Sequence, residues 1–94
     1  EMSKGIKHDI GKLQYDLLDP YALEDMVKVL TFGAIKYDRH NWKNVEKYRY
    51  EAAMMRHYEA YRKGESYDPE SGVSHLAHAL VNLMFLYCFE REKL

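Results

Sequence analysis

Cysteine, net charge and long apolar runs are all scarce in this 94-residue sequence. The single cysteine, Cys88, excludes an internal disulfide and a zinc site built from cysteines. A formal net charge of −1 excludes the strong basic field with which proteins attract duplex nucleic acid. No stretch is long and uncharged enough to cross a membrane, and the N-terminus has no signal-peptide pattern. We therefore expect a cytoplasmic protein with neither duplex nucleic acid nor a membrane as its partner.

Strand-like alternation of apolar and polar residues is also missing, and the sequence has helical periodicity instead. Apolar residues recur at helical spacing in three segments, which predicts helices over about 20–37, 45–63 and 72–92. A chain of this length forms one domain with a modest core. The predicted fold is therefore all-α: a three-helix unit, a single domain over residues 1–94, completed by oligomerisation with further copies of the chain.

Residues typical of helix ends support these boundaries. Asp19 followed by Pro20 predicts the start of the first helix, because aspartate caps and proline suits the first turn. Asn44 is in position to cap the second helix, and Gly64 is suited to end it.

The segment before the first helix, residues 3–18, has two glycines and no helical period. Its sequence HDIGK is not a phosphate-binding P-loop, because the full glycine-rich pattern and the following serine or threonine are missing. We expect an ordered N-terminal arm that folds over a pocket, with Lys12 facing an anionic group such as phosphate.

The segment HLAHALVN, residues 75–82, has polar groups that helix packing does not require. His75, His78 and Asn82 are spaced i, i+3 and i+7, so they share one stripe of the third helix. That stripe borders the apolar face of the helix. The pattern raises the question of whether these groups bind a ligand or only form polar contacts in the core.

Other polar residues are predicted to join this stripe. His57 lies on the apolar face of the second helix beside Arg56, and the connecting loop carries Glu65, Asp68 and Glu70. A histidine pair at i, i+3 with a loop carboxylate can hold a metal ion, and the same groups can hydrogen-bond phosphate. The alternative is a polar layer in which the acids satisfy buried histidines. We favour the ligand site because so many such groups converge, and we predict His75, His78 and Glu70 as metal ligands.

A second candidate cluster lies in GAIKYDRHNW, residues 33–42. Lys36 and Arg39 are cations, Asn41 offers an amide, and Trp42 offers a flat stacking face, which together suit a nucleotide. The alternative is that Trp42 anchors the loop to the core while the cations are solvated. Both interpretations stay open for Trp42, and solvent is favoured for Arg39.

Four segments together resemble the N-terminal domain of phage dATP/dGTP diphosphohydrolases: GIKHDIGKLQYDLLDPYALE, TFGAIKYDRHNW, RYEAAMMRHYEAYRKGE and DPESGVSHLAHALVN. The similarity runs in order along nearly the whole chain. The resemblance implies a bacteriophage origin, the cytoplasm of an infected bacterium, and a purine nucleotide as ligand. It extends more distantly to the MazG-like nucleotide pyrophosphohydrolases, which are all-α and oligomeric.

The sequence departs from the MazG-like pattern at the metal site. Those enzymes hold Mg²⁺ or Mn²⁺ with carboxylate pairs on two helices, spaced Glu-x-x-Glu and Glu-x-x-Asp, and such ions prefer oxygen ligands. Here the corresponding residues are Arg56-His57 and His75-x-x-His78. In two-part enzymes of the family, a separate C-terminal domain has the MazG-like character. The resemblance therefore supports nucleotide binding better than hydrolysis.

Three functions are compatible with this sequence. The first is a non-catalytic binder of a purine nucleotide or a nucleotide-derived signal, such as one used in host defence. The second is a phosphohydrolase dependent on Mn²⁺ or Mg²⁺ that releases pyrophosphate from dATP or dGTP, with His57, Glu65, Asp68 and Glu70 as catalytic residues. The third is a helical interaction module without a small ligand. We favour the binder. Its predicted ligand-binding residues are Lys12, Lys36, Asn41, Trp42, Arg56, His57, His75, His78 and Asn82.

Overall fold

Three α-helices form where the periodicity predicts them, in a computed structural model that describes residues 10–92. Helix α1 spans Pro20–Tyr37, α2 spans Lys47–Arg62 and α3 spans His75–Glu92. Within the described residues there is no β-strand, which confirms the predicted all-α class. No helix in this range is long and apolar enough to span a membrane.

The start of α1 is fixed by the predicted cap. The Asp19 side chain accepts a hydrogen bond from the backbone N–H of Ala22 at 2.9 Å. Pro20 occupies the first helical position, where its missing N–H leaves no hydrogen bond unmade.

Helix α2 starts two residues later than the pattern predicted. Asn44 does not cap it, because Asn41–Asn44 form a short 3₁₀ helix of their own. The hydroxyl of Tyr50 donates a hydrogen bond to the backbone carbonyl of Trp42 at 2.9 Å, which ties this 3₁₀ turn to α2. Glu46 precedes α2 without a capping hydrogen bond from its side chain.

The end of α2 is a Schellman motif centred on Gly64. The Gly64 N–H donates to the Tyr61 carbonyl, and the Glu65 N–H donates to the Ala60 carbonyl, each at 3.0 Å. Gly64 has a φ of 102°, which glycine adopts without the steric cost that a Cβ would bring. The predicted stop at Gly64 is therefore confirmed, and the chain turns there towards α3.

Helix α3 is the central element of the fold. It packs against α2 along most of its length and against α1 over a smaller area. The core lies mainly between α1 and α3, where Val29, Ala77 and Val81 are buried. The side chain of Ser74 accepts the N–H of Leu76 at 3.1 Å and so caps the start of α3.

The described part of the N-terminal arm is exposed. Every residue from Ile10 to Leu18 is accessible to solvent, including Lys12, and Tyr15–Leu17 form a single 3₁₀ turn. Residues 3–9 of the predicted arm lie outside the described residues. Contact between Lys12 and an anionic group stays a prediction.

Candidate functional site

Three imidazole rings from two helices meet at one end of the α2–α3 interface, beside the loop 63–74. The ring of His57 on α2 stacks on that of His78 on α3, with centroids 4.4 Å apart and planes at 9°. The Nδ1 atoms of His57 and His75 lie 2.8 Å apart and share a hydrogen bond. We call His57, His75 and His78 the imidazole cluster. The fold thus brings together histidines that lie on two separate helices.

The hydrogen bonds of His75 assign its tautomer. Its Nε2 lies 2.7 Å from Oε1 of Glu65, and an ionised carboxylate can only accept, so Nε2 carries the proton and donates it. With one proton on the His75 ring, Nδ1 then has a lone pair that can accept a hydrogen bond from Nδ1–H of His57. Glu65 therefore orients His75, and His75 in turn orients His57.

His78 is held by the loop that precedes α3. Its Nε2 lies 2.6 Å from the hydroxyl oxygen of Ser71 and 3.7 Å from Oδ2 of Asp68. Asp68 Oδ2 also accepts the backbone N–H of Ser71 at 2.9 Å, which closes the turn. The turn ends at Gly72, whose N–H donates to the Asp68 carbonyl and whose φ is 75°. This local geometry directs Asp68 towards the imidazole cluster.

Burial keeps His57 and His78 neutral at physiological pH. Desolvation, together with the nearby His78 and His75, lowers the pKa of His57 to about 4. Desolvation also lowers the pKa of His78, against the opposing attraction of Asp68. Although burial opposes ionisation of Asp68, hydrogen bonds from Ser71 bring the pKa of that carboxyl below its usual value. The site therefore combines neutral imidazoles with an ionised carboxylate.

One subset of these groups has the arrangement of a metal site. His57, Asp68 and His75 each offer a ligand atom, and these atoms lie within 4.8 Å of one another. Imidazole nitrogen and carboxylate oxygen are common ligands of divalent transition metals. The metal ligands predicted from the sequence were instead His75, His78 and Glu70. In the structure the Glu70 carboxylate is hydrogen-bonded to the Lys36 ammonium at 2.5 Å.

Sequence spacing could not distinguish among the loop acids. Asp68 is inward because its side chain closes the turn with Ser71, and only 17% of that side chain is exposed. Glu70 follows Pro69 on the outer side of the same turn, with 59% of its side chain exposed. The signal that could have identified Asp68 is the Asp-Pro-x-Ser-Gly pattern, in which aspartate commonly accepts a backbone hydrogen bond.

Asn82 lies at the boundary between the polar and apolar parts of α3. It is buried, with 8% exposure, and its Nδ2 donates to the carbonyl of His78 at 2.8 Å, one turn earlier. This hydrogen bond uses the amide within the helix. A direct contact between Asn82 and a ligand stays a prediction.

An open groove of about 550 Å³ runs beside α2 and reaches Glu65. Its wall combines apolar and charged side chains, and Arg56, predicted from sequence as a ligand-binding residue, is among them. The lining residues are Ala52, Met55, Arg56, Glu59, Ala60, Lys63 and Glu65. Because Glu65 also bonds His75, the groove and the imidazole cluster share one carboxylate.

Four aromatic rings occupy the opposite end of the α2–α3 interface. Trp42 stacks on Phe85 with centroids 4.7 Å apart and meets Phe89 edge-on at 5.6 Å. Tyr50 lies 4.9 Å from Phe85. We call Trp42, Tyr50, Phe85 and Phe89 the aromatic cluster. Trp42 therefore anchors its loop to the core, which was one of the two interpretations of this residue. Stacking of Trp42 on a base and contact of Asn41 with a ligand both stay predictions.

The cations of the second candidate segment are at the surface. The hydrogen bond to Glu70 raises the pKa of Lys36 to about 12, and the ammonium lies 5.0 Å from the centre of the Tyr37 ring. Arg39 is exposed, as the solvent interpretation predicts. Neither cation belongs to the imidazole cluster.

Comparison with known proteins relates these features to a family. Residues 2–94 match the family described as dATP/dGTP diphosphohydrolase, N-terminal. The chain is 40% identical over 83 residues to a protein from Salmonella phage PMBT28 that is named dATP/dGTP diphosphohydrolase. The matched region covers 88% of this chain and 29% of the phage protein, so the chain spans less than a third of that relative. No solved structure matches the chain.

Proposed function

Because the chain belongs to the N-terminal domain family of dATP/dGTP diphosphohydrolases, we propose that it binds a purine nucleotide or a nucleotide-derived molecule at the imidazole cluster. The observation that carries this proposal is the convergence of three histidines with two loop carboxylates at one place. Burying so many polar groups is costly when apolar side chains would pack as well, so a ligand gives a reason for them.

The groove beside α2 offers the remaining contacts that a nucleotide requires. Arg56 and Lys63 are cations suited to phosphate oxygens. Ala52, Met55 and Ala60 give an apolar wall against which a base can lie. A nucleotide in the groove would reach the imidazole cluster at Glu65.

Binding without turnover is favoured by the position of the acids. The carboxylates that contact the imidazole cluster, Glu65 and Asp68, both come from the loop between α2 and α3. A site for Mg²⁺ or Mn²⁺ would be expected to have more oxygen ligands. In the cytoplasm of an infected bacterium, such a binder would withdraw a nucleotide or a nucleotide-derived defence signal from solution.

The second candidate function is a metal-dependent phosphohydrolase acting on purine deoxynucleoside triphosphates. It is favoured by the group of three metal-capable side chains and by the name of the Salmonella phage relative. A bound ion would lower the pKa of a coordinated water, and a loop carboxylate would then accept its proton.

A nucleotide panel distinguishes these functions. The protein is incubated with purine nucleotides and cyclic dinucleotides, with and without Mn²⁺, and both the supernatant and the denatured protein are analysed by mass spectrometry. An unaltered nucleotide released by denaturation supports the binder, whereas monophosphate and pyrophosphate in the supernatant support the enzyme. His40→Asn, a change at an exposed histidine outside the cluster, is the control variant and should give the same result as the wild type. Neither retention nor turnover of any nucleotide would overturn both candidates.

We also propose that the chain forms a homo-oligomer. Leu76, Leu80, Leu83 and Tyr87 follow one another at four, three and four residues on α3, with exposures between 38% and 61%. This spacing puts them on one face of the helix. A contiguous exposed apolar face of this kind commonly marks a contact between proteins.

Light scattering on the wild type and two variants tests the oligomer. The double change Leu80→Glu and Leu83→Glu is expected to lower the molecular mass to that of the monomer, because it puts two charges into the apolar face. Leu13→Glu, at an exposed leucine of the N-terminal arm, is the control and should leave the mass unchanged. A monomeric wild type at micromolar concentration would overturn this proposal.

A further inference from the structure

We infer that His57, Asp68 and His75 form a binding site for one divalent transition-metal ion of the zinc or cobalt type. The ion would lie where the nucleotide is proposed to bind, so the inference deepens the proposed function. Titration with metal alone tests this site.

The positions of the ligand atoms permit a shared ion. One atom from each of the three side chains lies within 4.8 Å of the other two. Two nitrogen ligands on one tetrahedral zinc ion are about 3.4 Å apart, since each Zn–N bond is about 2.0–2.1 Å. The Nδ1 atoms of His57 and His75 are 2.8 Å apart. They need to separate by roughly half an ångström to admit an ion with such bonds, which small side-chain rotations supply.

The proton shared by His57 and His75 can move to Nε2 of His57 when an ion binds. Because Nε2 of His75 donates to Glu65, Nδ1 of His57 is the atom that carries the shared proton when both rings are neutral. When an ion takes both Nδ1 lone pairs, the proton of His57 is transferred through solvent to Nε2 of the same ring. Both imidazoles then bind as neutral ligands and no net proton is released. The ion thus replaces a hydrogen bond without altering the charge of either ring.

The surrounding groups already hold the ligands in position. His75 is 4% exposed, and its Nε2–H donates to Glu65, the arrangement in which a carboxylate commonly orients a metal-bound histidine. Asp68 is fixed through Oδ2 by the N–H of Ser71. Its other oxygen, Oδ1, accepts no hydrogen bond from residues 10–92 and has lone pairs for an ion.

The ligand set selects the kind of metal. Two imidazole nitrogens and one carboxylate oxygen suit zinc, cobalt and related ions, whereas Mg²⁺ and Ca²⁺ favour oxygen ligands throughout. Three protein ligands leave at least one coordination position for water or for a phosphate oxygen. This open position connects the metal to the proposed nucleotide.

The test uses the complete chain after metal removal, with no nucleotide present. Titration with Co²⁺ is followed by its visible absorption, and titration with Zn²⁺ by calorimetry. We expect one ion per chain and an affinity for Zn²⁺ at least about a hundredfold above that for Mg²⁺. Asp68→Asn and His57→Gln should each weaken Zn²⁺ binding at least about tenfold, and Glu65→Gln should weaken it about 10- to 100-fold through loss of orientation.

The control variant is His40→Asn, because His40 is exposed and its left-handed φ of 60° is tolerated by asparagine. It should bind Zn²⁺ as the wild type does, and circular dichroism should show equal helical content for all four variants. The inference is overturned if the wild type binds no stoichiometric ion, if Mg²⁺ binds as tightly as Zn²⁺, or if His40→Asn is as weak as Asp68→Asn.

The outcomes also separate this inference from the proposed function. Zinc binding without retention or turnover of any nucleotide leaves the metal site standing and rejects nucleotide binding. Nucleotide retention by a protein that binds no ion supports the proposed function and rejects the metal site.

Discussion

The two ends of the α2–α3 interface are both built from flat rings, yet they are held together by different forces. At the aromatic cluster the rings meet through dispersion and burial, and Trp42 stacks on Phe85. At the imidazole cluster the contact between His57 and His75 is a directional hydrogen bond. The face of α3 towards α2 changes from polar to apolar along its length. Its residues in order are His75, His78, Asn82, Phe85 and Phe89.

The two ends therefore contribute differently to the stability of the helix pair. Aromatic side chains contribute large buried areas, so the aromatic cluster stabilises the helix pair. The imidazole cluster contributes less, because its hydrogen bonds largely replace hydrogen bonds with water. The apolar end therefore holds the two helices at a fixed separation, and this separation sets the positions of the imidazoles at the polar end. Changes at the aromatic end should mainly lower stability, and changes at the imidazole end should mainly lower ligand binding.

The largest effect on stability is expected from Phe89→Ala. Phe89 is buried and contacts Trp42, and loss of a buried phenylalanine side chain costs about 3 kcal/mol. Chemical denaturation followed by circular dichroism measures the free energy of unfolding. The folded fraction should still bind Zn²⁺ at low denaturant. A cost below about 1 kcal/mol would show that the aromatic end does not carry the stability.

The next largest effect on stability is expected from His75→Ala, and this change should abolish ligand binding. It removes the hydrogen bonds to His57 and Glu65, which together contribute on the order of 1–2 kcal/mol. Retention of Zn²⁺ and nucleotide should be lost, while helical content and oligomer mass persist. His78→Ala should weaken nucleotide retention in the same way. If these variants unfold and their folded remainder binds normally, the histidines are structural.

A change of pH should act on the imidazole end alone. The pKa of His57 is about 4 in the folded chain and about 6.5 when unfolded. The unfolded chain therefore binds more protons, and the free energy of unfolding falls as pH decreases from about 6.5 towards about 4. For metal-free protein we expect a loss on the order of 1–2 kcal/mol between pH 7.5 and 5.

Thermal melts in matched buffers measure this loss, and His57→Gln is the control. The variant has no titrating group at this position, so its melting temperature should depend less on pH. A wild-type melting temperature that is constant or rises between pH 7.5 and 5 would contradict the assignment of a neutral, half-buried His57.

The smallest effect is expected from Lys36→Gln and Glu70→Gln, outside both clusters. The ion pair between them is largely exposed, with side-chain exposures of 38% and 59%, so water and salt screen it. Each variant should unfold at the same denaturant concentration as the wild type. Nucleotide retention separates the remaining interpretations, because a tenfold loss on changing Lys36 alone would place this lysine at the ligand, as its sequence context predicted.

Features that depend on neighbouring residues in the chain were predictable from the sequence. The three helices follow from periodicity, the cap at Asp19 and the stop at Gly64 follow from single residues, and the family resemblance is confirmed. Turn conformation was harder to predict. The start of α2 follows a 3₁₀ turn that is joined to the helix by the hydrogen bond from Tyr50 to the Trp42 carbonyl, a contact across eight residues.

The sequence predicted which residues were candidates for the site, but not which of them come together in it. Helical spacing placed His75 and His78 on one stripe, and the short connection to α2 brought His57 to them. Which acid accompanies them depends on the turn that draws Asp68 inward and leaves Glu70 with Lys36. Alternation and spacing contain no information about that choice, because all three acids lie in one irregular loop.

The loop that joins α2 to α3 also has a consequence for the order of folding. Every side chain of the imidazole cluster belongs to one antiparallel helix pair, and His57 and His75 are 18 residues apart in the chain. Closing so short a segment costs little entropy, and contacts between near neighbours in sequence form quickly. We expect the helix pair to assemble the site as it forms, before α1 docks on the other side of α3. The geometry of the site then depends only on the α2–α3 pair, and we expect the same geometry in any longer chain that contains this pair.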